Sequence, residues 1–270
     1  MGEQNKEMSF LDHLEELRWH LVRSTVCILV FTIVLFVYQK EVYNQFLLAH
    51  LNPEFSTYKW FCEAFTKIGI DSSFCNLSFS SKLQSLAPTN QLMNAVWSSF
   101  ILGAILSFPY IIWEMMKFIM PGLTPKERQK SRGFIIISTL LLIIGLLFSY
   151  YVIAPMSVYF FYNYQITDVI VNNFQFDSYI GLITNTLLGV SIVFELPLVV
   201  YFLTKLGLIT PEFLKKYRKH SLVLVLIVAA VITPPDVASQ IIVAIPILIL
   251  YEISIVVSKV IVKKQKKQEL

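Results

Sequence analysis

Six stretches of the chain are almost continuously apolar, and polar or basic sequence bounds each of them: residues 21–38, 92–116, 134–154, 179–203, 221–232 and 241–257. A helix that crosses a bilayer needs about 20 apolar residues. The first four stretches meet that length alone. The fifth and sixth are short and are separated only by "TPPDVASQ"; bent at a tight hairpin, the pair reaches most of the way across. The pattern predicts an all-α, polytopic integral membrane protein with six transmembrane helices over residues 1–258, followed by a basic tail at 259–270.

Local signals refine this outline. Phe10, Leu14, Leu17 and Leu21 recur at helical spacing, which predicts an amphipathic surface helix over 1–20 leading into the first run. Residues 39–90 form a long loop, irregular or carrying short helices, with Pro53, Gly69 and Pro88 in it. Pro109 predicts a kink in the second run. Pro121-Gly122 stops that run, and Thr124 with Glu127 has the spacing of a capping box. "FSYYVIAP" closes the third run with an aromatic belt and a proline. Thr210-Pro211 suits the start of a short helix. No internal repeat is visible.

Composition agrees with the pattern. The chain has 270 residues, 56% hydrophobic and 15% charged, against about 45–50% and about 25% in soluble domains. Its mean hydropathy is +0.64. The first twenty residues are charged and lack an apolar core with a small-residue cleavage site, so no cleavable signal peptide is expected. Charge then orients the runs. Lys6, Arg18 and Arg23 flank the first run. Five Lys or Arg lie at 117–132, five at 205–219 and five at 259–267, whereas 155–178 and 233–240 have none. Short loops rich in Lys and Arg stay cytoplasmic, so both termini are expected there. The 39–90 segment carries four lysines but also Glu41, Glu54, Glu63 and Asp71, and it is long enough to follow the rule weakly.

Polar residues out of keeping with the pattern are the candidate chemistry. Glu195 stands inside "VSIVFELPLVVYFL". A carboxylate at bilayer depth costs a few kcal/mol or more, on the order of 3, and usually faces a protein interior or a wet cavity. It is either a protonated, hydrogen-bonded structural residue or a polar contact site for something entering the membrane. Glu16 and Glu127 fall in segments beside the membrane. They are either solvated charges, Glu127 also a helix cap, or a pair of carboxylates offered to a cation; guanidinium suits them because it binds carboxylates bidentately. Thr233, Asp236 and Gln240 cluster around the last hairpin, where Asp236 fits a simple turn and the Gln240 amide needs partners near lipid. Cys62 and Cys75 share the long loop, either as a disulfide or as two free thiols; Cys27 reads as packing. There is no Walker loop, no dinucleotide fingerprint, no HExxH and no Ser/His/Asp set at membrane depth. No enzyme activity, cofactor, metal or nucleic-acid partner is expected. A proton-coupled secondary transporter with Glu195 as the coupling carboxylate is a second reading, although it lacks the repeats such folds carry.

Four segments, "FLDHLEELRWHL", "SFPYIIWEMMKFIMPGLTPKER", "FELP" and "ITPPDVASQ", resemble in order and spacing the signature segments of the TatC family, the polytopic subunit of the twin-arginine protein translocase. The resemblance implies a concave, glove-like bundle in a bacterial inner membrane. It implies binding of twin-arginine signal peptides, and a multimeric complex with single-span TatA and TatB-type partners that moves folded proteins using the proton-motive force. By motif, it implies that Glu16, Arg18, Phe118 and Glu127 serve signal-peptide binding. Glu195 would be the polar residue of the concave face, Thr233 and Gln240 the partner contact, and Asp236 an outer-face residue. Two departures stand out. His20 occupies a place where the first motif often ends in a basic residue, and the 39–90 loop is longer than usual with its own cysteine pair.

Overall fold

The computed structural model describes residues 10–67, 75, 83–120, 131–167, 173–233 and 237–266. Among them the chain is almost wholly helical, with one isolated bridge between Gln84 and Gln175. The capping box at Thr124 and Glu127, the Pro121-Gly122 stop and Asp236 lie outside the described residues.

The surface helix and the first apolar run are a single element, α1 (Phe10–Val37). No Pro or Gly interrupts it. The hydroxyls of Ser24, Thr25 and Thr32 donate to carbonyls one turn back at 2.8–2.9 Å, so they bring no unmet donor into lipid. The helix packs chiefly on α4 (Asn90–Ile119), which runs through Pro109. The two backbones approach closely at Gly103, where an added Cβ would lie 2.7 Å from Thr32 Oγ1 and 2.9 Å from its backbone nitrogen. A larger residue there would push α1 away.

Between them the chain makes α2 (Gln39–Val42), a π turn at Tyr43–Leu47, a 3-10 turn at Ala49–Leu51 and α3 (Ser56–Lys67). Irregular backbone beside a bilayer is tolerated only where its polar groups find partners, and here tyrosine hydroxyls supply them. Tyr179 donates to the Leu47 carbonyl at 2.9 Å, Tyr150 to Phe46 at 3.1 Å and Tyr58 to His50 at 2.9 Å. His50 Nε2 donates to the Tyr150 carbonyl at 2.9 Å. A disulfide joins Cys62 to Cys75.

The third run does not close at "FSYYVIAP". After α5 (Ser131–Phe148) the chain takes one π turn, Ser149–Ile153, and continues as α6 (Ala154–Asn163). Pro155 falls in the first turn of α6, where its missing N–H costs nothing. The fourth run is broken where the sequence suggested continuity: α7 (Phe176–Phe194) ends and α8 (Leu196–Lys205) begins around Glu195, with Pro197 in the first turn of α8. Thr210 accepts from Phe213 N at 3.2 Å and caps α9 (Pro211–Lys216). Then come α10 (Arg218–Ile232) and α11 (Val237–Lys266).

Among the described residues, five helical segments are long and apolar enough to span a membrane: Leu14–Val37, Asn90–Ile119, Gly133–Asn163, Phe176–Lys205 and Gln240–Gln265. The fifth run stays short, since the 15 residues of α10 rise only about 22 Å. The sixth does not: α11 has 30 residues, because Lys and Gln are good helix formers and carry the helix on through most of the basic tail. One apolar core gathers Ile101, Ile105, Leu142, Ile180, Ile183 and Leu187 from α4, α5 and α7. A second gathers Val190, Phe194, Val225, Ala229, Val243 and Ile247 from α7, α10 and α11.

Two predictions concern the Cys62–Cys75 end. Burial pushes the His50 imidazole down to about 4, so it is neutral when folded and takes up a proton on unfolding below about pH 6.5. Its contribution to stability is full above that pH and falls by roughly 3 kcal/mol as the pH drops toward 4. The drop in unfolding temperature between pH 7 and pH 4.5, measured in detergent, should be smaller for His50→Gln than for wild type. Separately, mass spectrometry of thiol-blocked membranes should find residues 62 and 75 linked and Cys27 as the one free thiol. Free thiols at 62 and 75 would contradict an oxidising location for this loop.

Candidate functional site

Between α4, α5 and the α7–α8 break the fold leaves an apolar groove of about 340 Å³. Phe108, Ile112, Met116, Leu198 and Phe202 line it, and Glu195 is its one ionisable residue among the described residues. The break aims this side chain. Glu195 leaves the helical conformation at φ −79°, ψ 0°, and its carbonyl takes the first bonds of α8 from Leu198 at 2.9 Å and Val199 at 3.1 Å. Ser138 of α5 donates to Oε2 at 2.9 Å. Oε1 has no partner among the described residues, nor does the buried hydroxyl of Ser191 one turn earlier. Gly145 allows the close packing here: a Cβ on it would meet Phe194 at 2.9 Å.

A second carboxylate lies on α4, and the sequence reading did not single it out. The Glu114 side chain is 1% exposed. His20 Nδ1 of α1 lies 2.5 Å from Oε2, and Lys117 Nζ donates to Oε1 at 3.0 Å. Arg23 of α1 approaches Oε2 at 3.8 Å. Lys117 also sits over the Trp113 ring, 3.3 Å from its centroid. The signal in the sequence was the carboxylate in "IIWEMMKFI" together with His20, the residue that departs from the first motif.

The remaining candidates are placed as follows. Glu16 is half-buried on α1, one turn before His20. Phe118 is one turn after Glu114 and meets the His20 ring edge-on, 6.1 Å between centroids. Arg18 is exposed, pairs with Glu15 at 3.4 Å and lies near Trp19; an exposed pair of this kind contributes little. Thr233 is buried, and its hydroxyl donates to the Ala229 carbonyl at 2.8 Å. Gln240 Nε2 donates to the Leu226 carbonyl at 3.0 Å. Both thus bond to the backbone of α10, at the last hairpin. His20 brings the Glu16 face of α1 to Phe118; Glu127 lies outside the described residues.

The family model for the Sec-independent protein translocase protein (TatC) matches residues 12–246. The chain belongs to the TatC family. A TatC protein of Blattabacterium (strain BPLAN, from Periplaneta americana) is 40% identical over 270 residues, spanning 98% of this chain and all of its own. One from Helicobacter pylori is 34% identical, spanning 95% and 90%. Two crystal structures of the twin-arginine translocase receptor TatC superpose with TM-scores of 0.68 and 0.70 at 29% and 30% identity, covering 93% and 91% of this chain and 99% of theirs. The TatC relatives are named protein translocase components, and with five membrane-length helices this chain is a multi-pass membrane subunit of that translocase.

The groove yields a stability prediction. Ser138→Ala strips Glu195 of its hydrogen-bond donor and should cost about 1–3 kcal/mol, read as a lower unfolding temperature in detergent. Glu195→Gln keeps a partner for the Ser138 hydroxyl and should stay within about 1 kcal/mol of wild type. Unchanged stability in Ser138→Ala would mean that Glu195 draws on another donor.

Proposed function

We propose that this subunit is the receptor of the translocase: it binds twin-arginine signal peptides at its cytoplasmic face and passes folded proteins on with single-span partners, driven by the proton-motive force. The observation that carries the reading is the likeness, over nine-tenths of the chain, to crystal structures of the twin-arginine translocase receptor. The chemistry supports it. Two adjacent arginines are costly to desolvate, so their receptor offers carboxylates at a wet rim; Glu16 and Glu127 are the carboxylates offered, a residue type that guanidinium binds bidentately. Arg18 and Phe118 flank that site. The apolar stretch behind the arginines needs a lipid-like slot, and the 340 Å³ groove supplies one with Glu195 as its polar contact.

Partner helices dock at the α10–α11 hairpin. Thr233 and Gln240 present polar groups there at membrane depth, and such groups hold helices together in lipid by about 0.5–2 kcal/mol each. Asp236 belongs to the outer face of the same hairpin, and both termini face the cytoplasm of a bacterial inner membrane. The shortness of α10 draws the bilayer thin beside the hairpin, which eases passage of a folded cargo.

A photo-crosslinker on the protein next to Glu16 or Glu127 should capture a twin-arginine peptide. Capture should fall at least about tenfold when the arginine pair becomes lysines, the scale of losing one bidentate contact. In cells lacking the pathway, wild type supplied with matched partners should restore export of a folded reporter, while Glu127→Ala and Glu195→Ala restore less. Equal capture of both peptides would sink the receptor reading. Export of a small solute instead would favour a transporter.

A further inference from the structure

The geometry points to Glu114 as a positioning residue for twin-arginine recognition: through His20 it fixes the end of α1 against α4 and thereby sets where Glu16 stands relative to Phe118. The inference rests on the receptor reading above. Its basis is the register of two helix faces. On α1, Glu16, His20 and Arg23 recur at spacings of four and three and so share one face. On α4, Glu114, Lys117 and Phe118 do the same. His20 Nδ1 meets Glu114 Oε2 at 2.5 Å and the His20 ring meets Phe118 edge-on. One turn from this joint, on either helix, lies a residue assigned to the peptide site.

The charge at Glu114 calls for more than packing. Replacing a buried ion pair by apolar residues of similar volume is often neutral or stabilising. Position 114 faces α1, and its side chain is 1% exposed. A leucine would therefore serve plain cohesion. What a carboxylate with ligands on two helices adds is a fixed register, because apolar helix faces in lipid otherwise slide at little cost. The groups that surround it are His20 and Arg23 from α1 and Lys117 and Tyr110 from α4 itself. The 2.5 Å and 3.0 Å contacts already occupy both oxygens, so Glu114 acts through its neighbours and not on the peptide.

The test uses the full-length protein in native membranes with its partner subunits. Two synthetic twin-arginine peptides are compared, one with a photo-crosslinker beside the arginines and one with it in the apolar stretch. In Glu114→Gln, capture from beside the arginines should fall about tenfold, the scale of one charge-assisted hydrogen bond. Capture from the apolar stretch should stay within about twofold, since no groove residue has changed. Glu114→Asp should restore at least half of the lost capture, and His20→Lys, which keeps a nitrogen donor at the joint, should resemble wild type while His20→Leu resembles Glu114→Gln. Wild-type capture by Glu114→Gln with both probes overturns the inference and leaves the receptor reading intact. A parallel fall with both probes also overturns it, since that marks loss of structure and not of position. Failure of wild type to capture either peptide overturns the receptor reading and this inference with it.

Discussion

Polar groups inside a bilayer have no water to turn to, so each must be satisfied by the protein or face a cavity. That constraint organises this chain more than any apolar contact. The extended bundle leaves α1 with one flank against α4 and most of its surface, from Leu21 to Val37, open to lipid. What gives such a bundle definite geometry is the small set of polar residues that must find one another. At one end tyrosine hydroxyls close the irregular backbone of 43–51. At the other, Glu114 gathers cations from two helices. Between them Glu195 interrupts a helix.

The two buried carboxylates are solved in opposite ways. Glu114 has both oxygens engaged by positively charged or protonatable groups, one in its own helix and two in the next. Glu195 has one hydroxyl donor, an open oxygen and an apolar groove beside it. A fully engaged carboxylate resists rearrangement, because moving any partner exposes a buried charge. A partly engaged one can accept a new donor at low cost. The first suits a joint and the second suits a surface where another segment docks.

Much of this was legible in the sequence, and the limits have physical reasons. The spans could be read because a bilayer sets a length requirement that hydropathy measures directly. Glu195 was conspicuous because nothing charged stands near it in the chain. Glu114 was not, since a carboxylate three residues before Lys117 at the end of an apolar run reads as an ordinary interfacial pair. Its decisive partner, His20, lies 94 residues away. The broken fourth helix was not legible in hydropathy, because the apolar run passes through Glu195 and Pro197 without interruption; only the fold shows the chain bending there. The sixth helix was mismeasured because apolarity marks where lipid ends and not where the helix ends; Lys and Gln extend it to Lys266.

The unequal lengths of α10 and α11 follow from the same reasoning. A helix of 15 residues is too short to bring its end to the far interface, so its last carbonyls would be left in hydrocarbon. Of these carbonyls, Ala229 accepts both the backbone N–H and the hydroxyl of Thr233 at 2.9 and 2.8 Å, and Ile232 lies 3.4 Å from the Thr186 hydroxyl of α7; Gln240 of α11 adds a bond one turn earlier, to the Leu226 carbonyl. The end of the short helix is thus held by its own cap residue together with side chains of α11 and α7. Thr233 and Gln240, conspicuous in the sequence as polar residues near lipid, are thus first of all what ties the end of α10 to its surroundings.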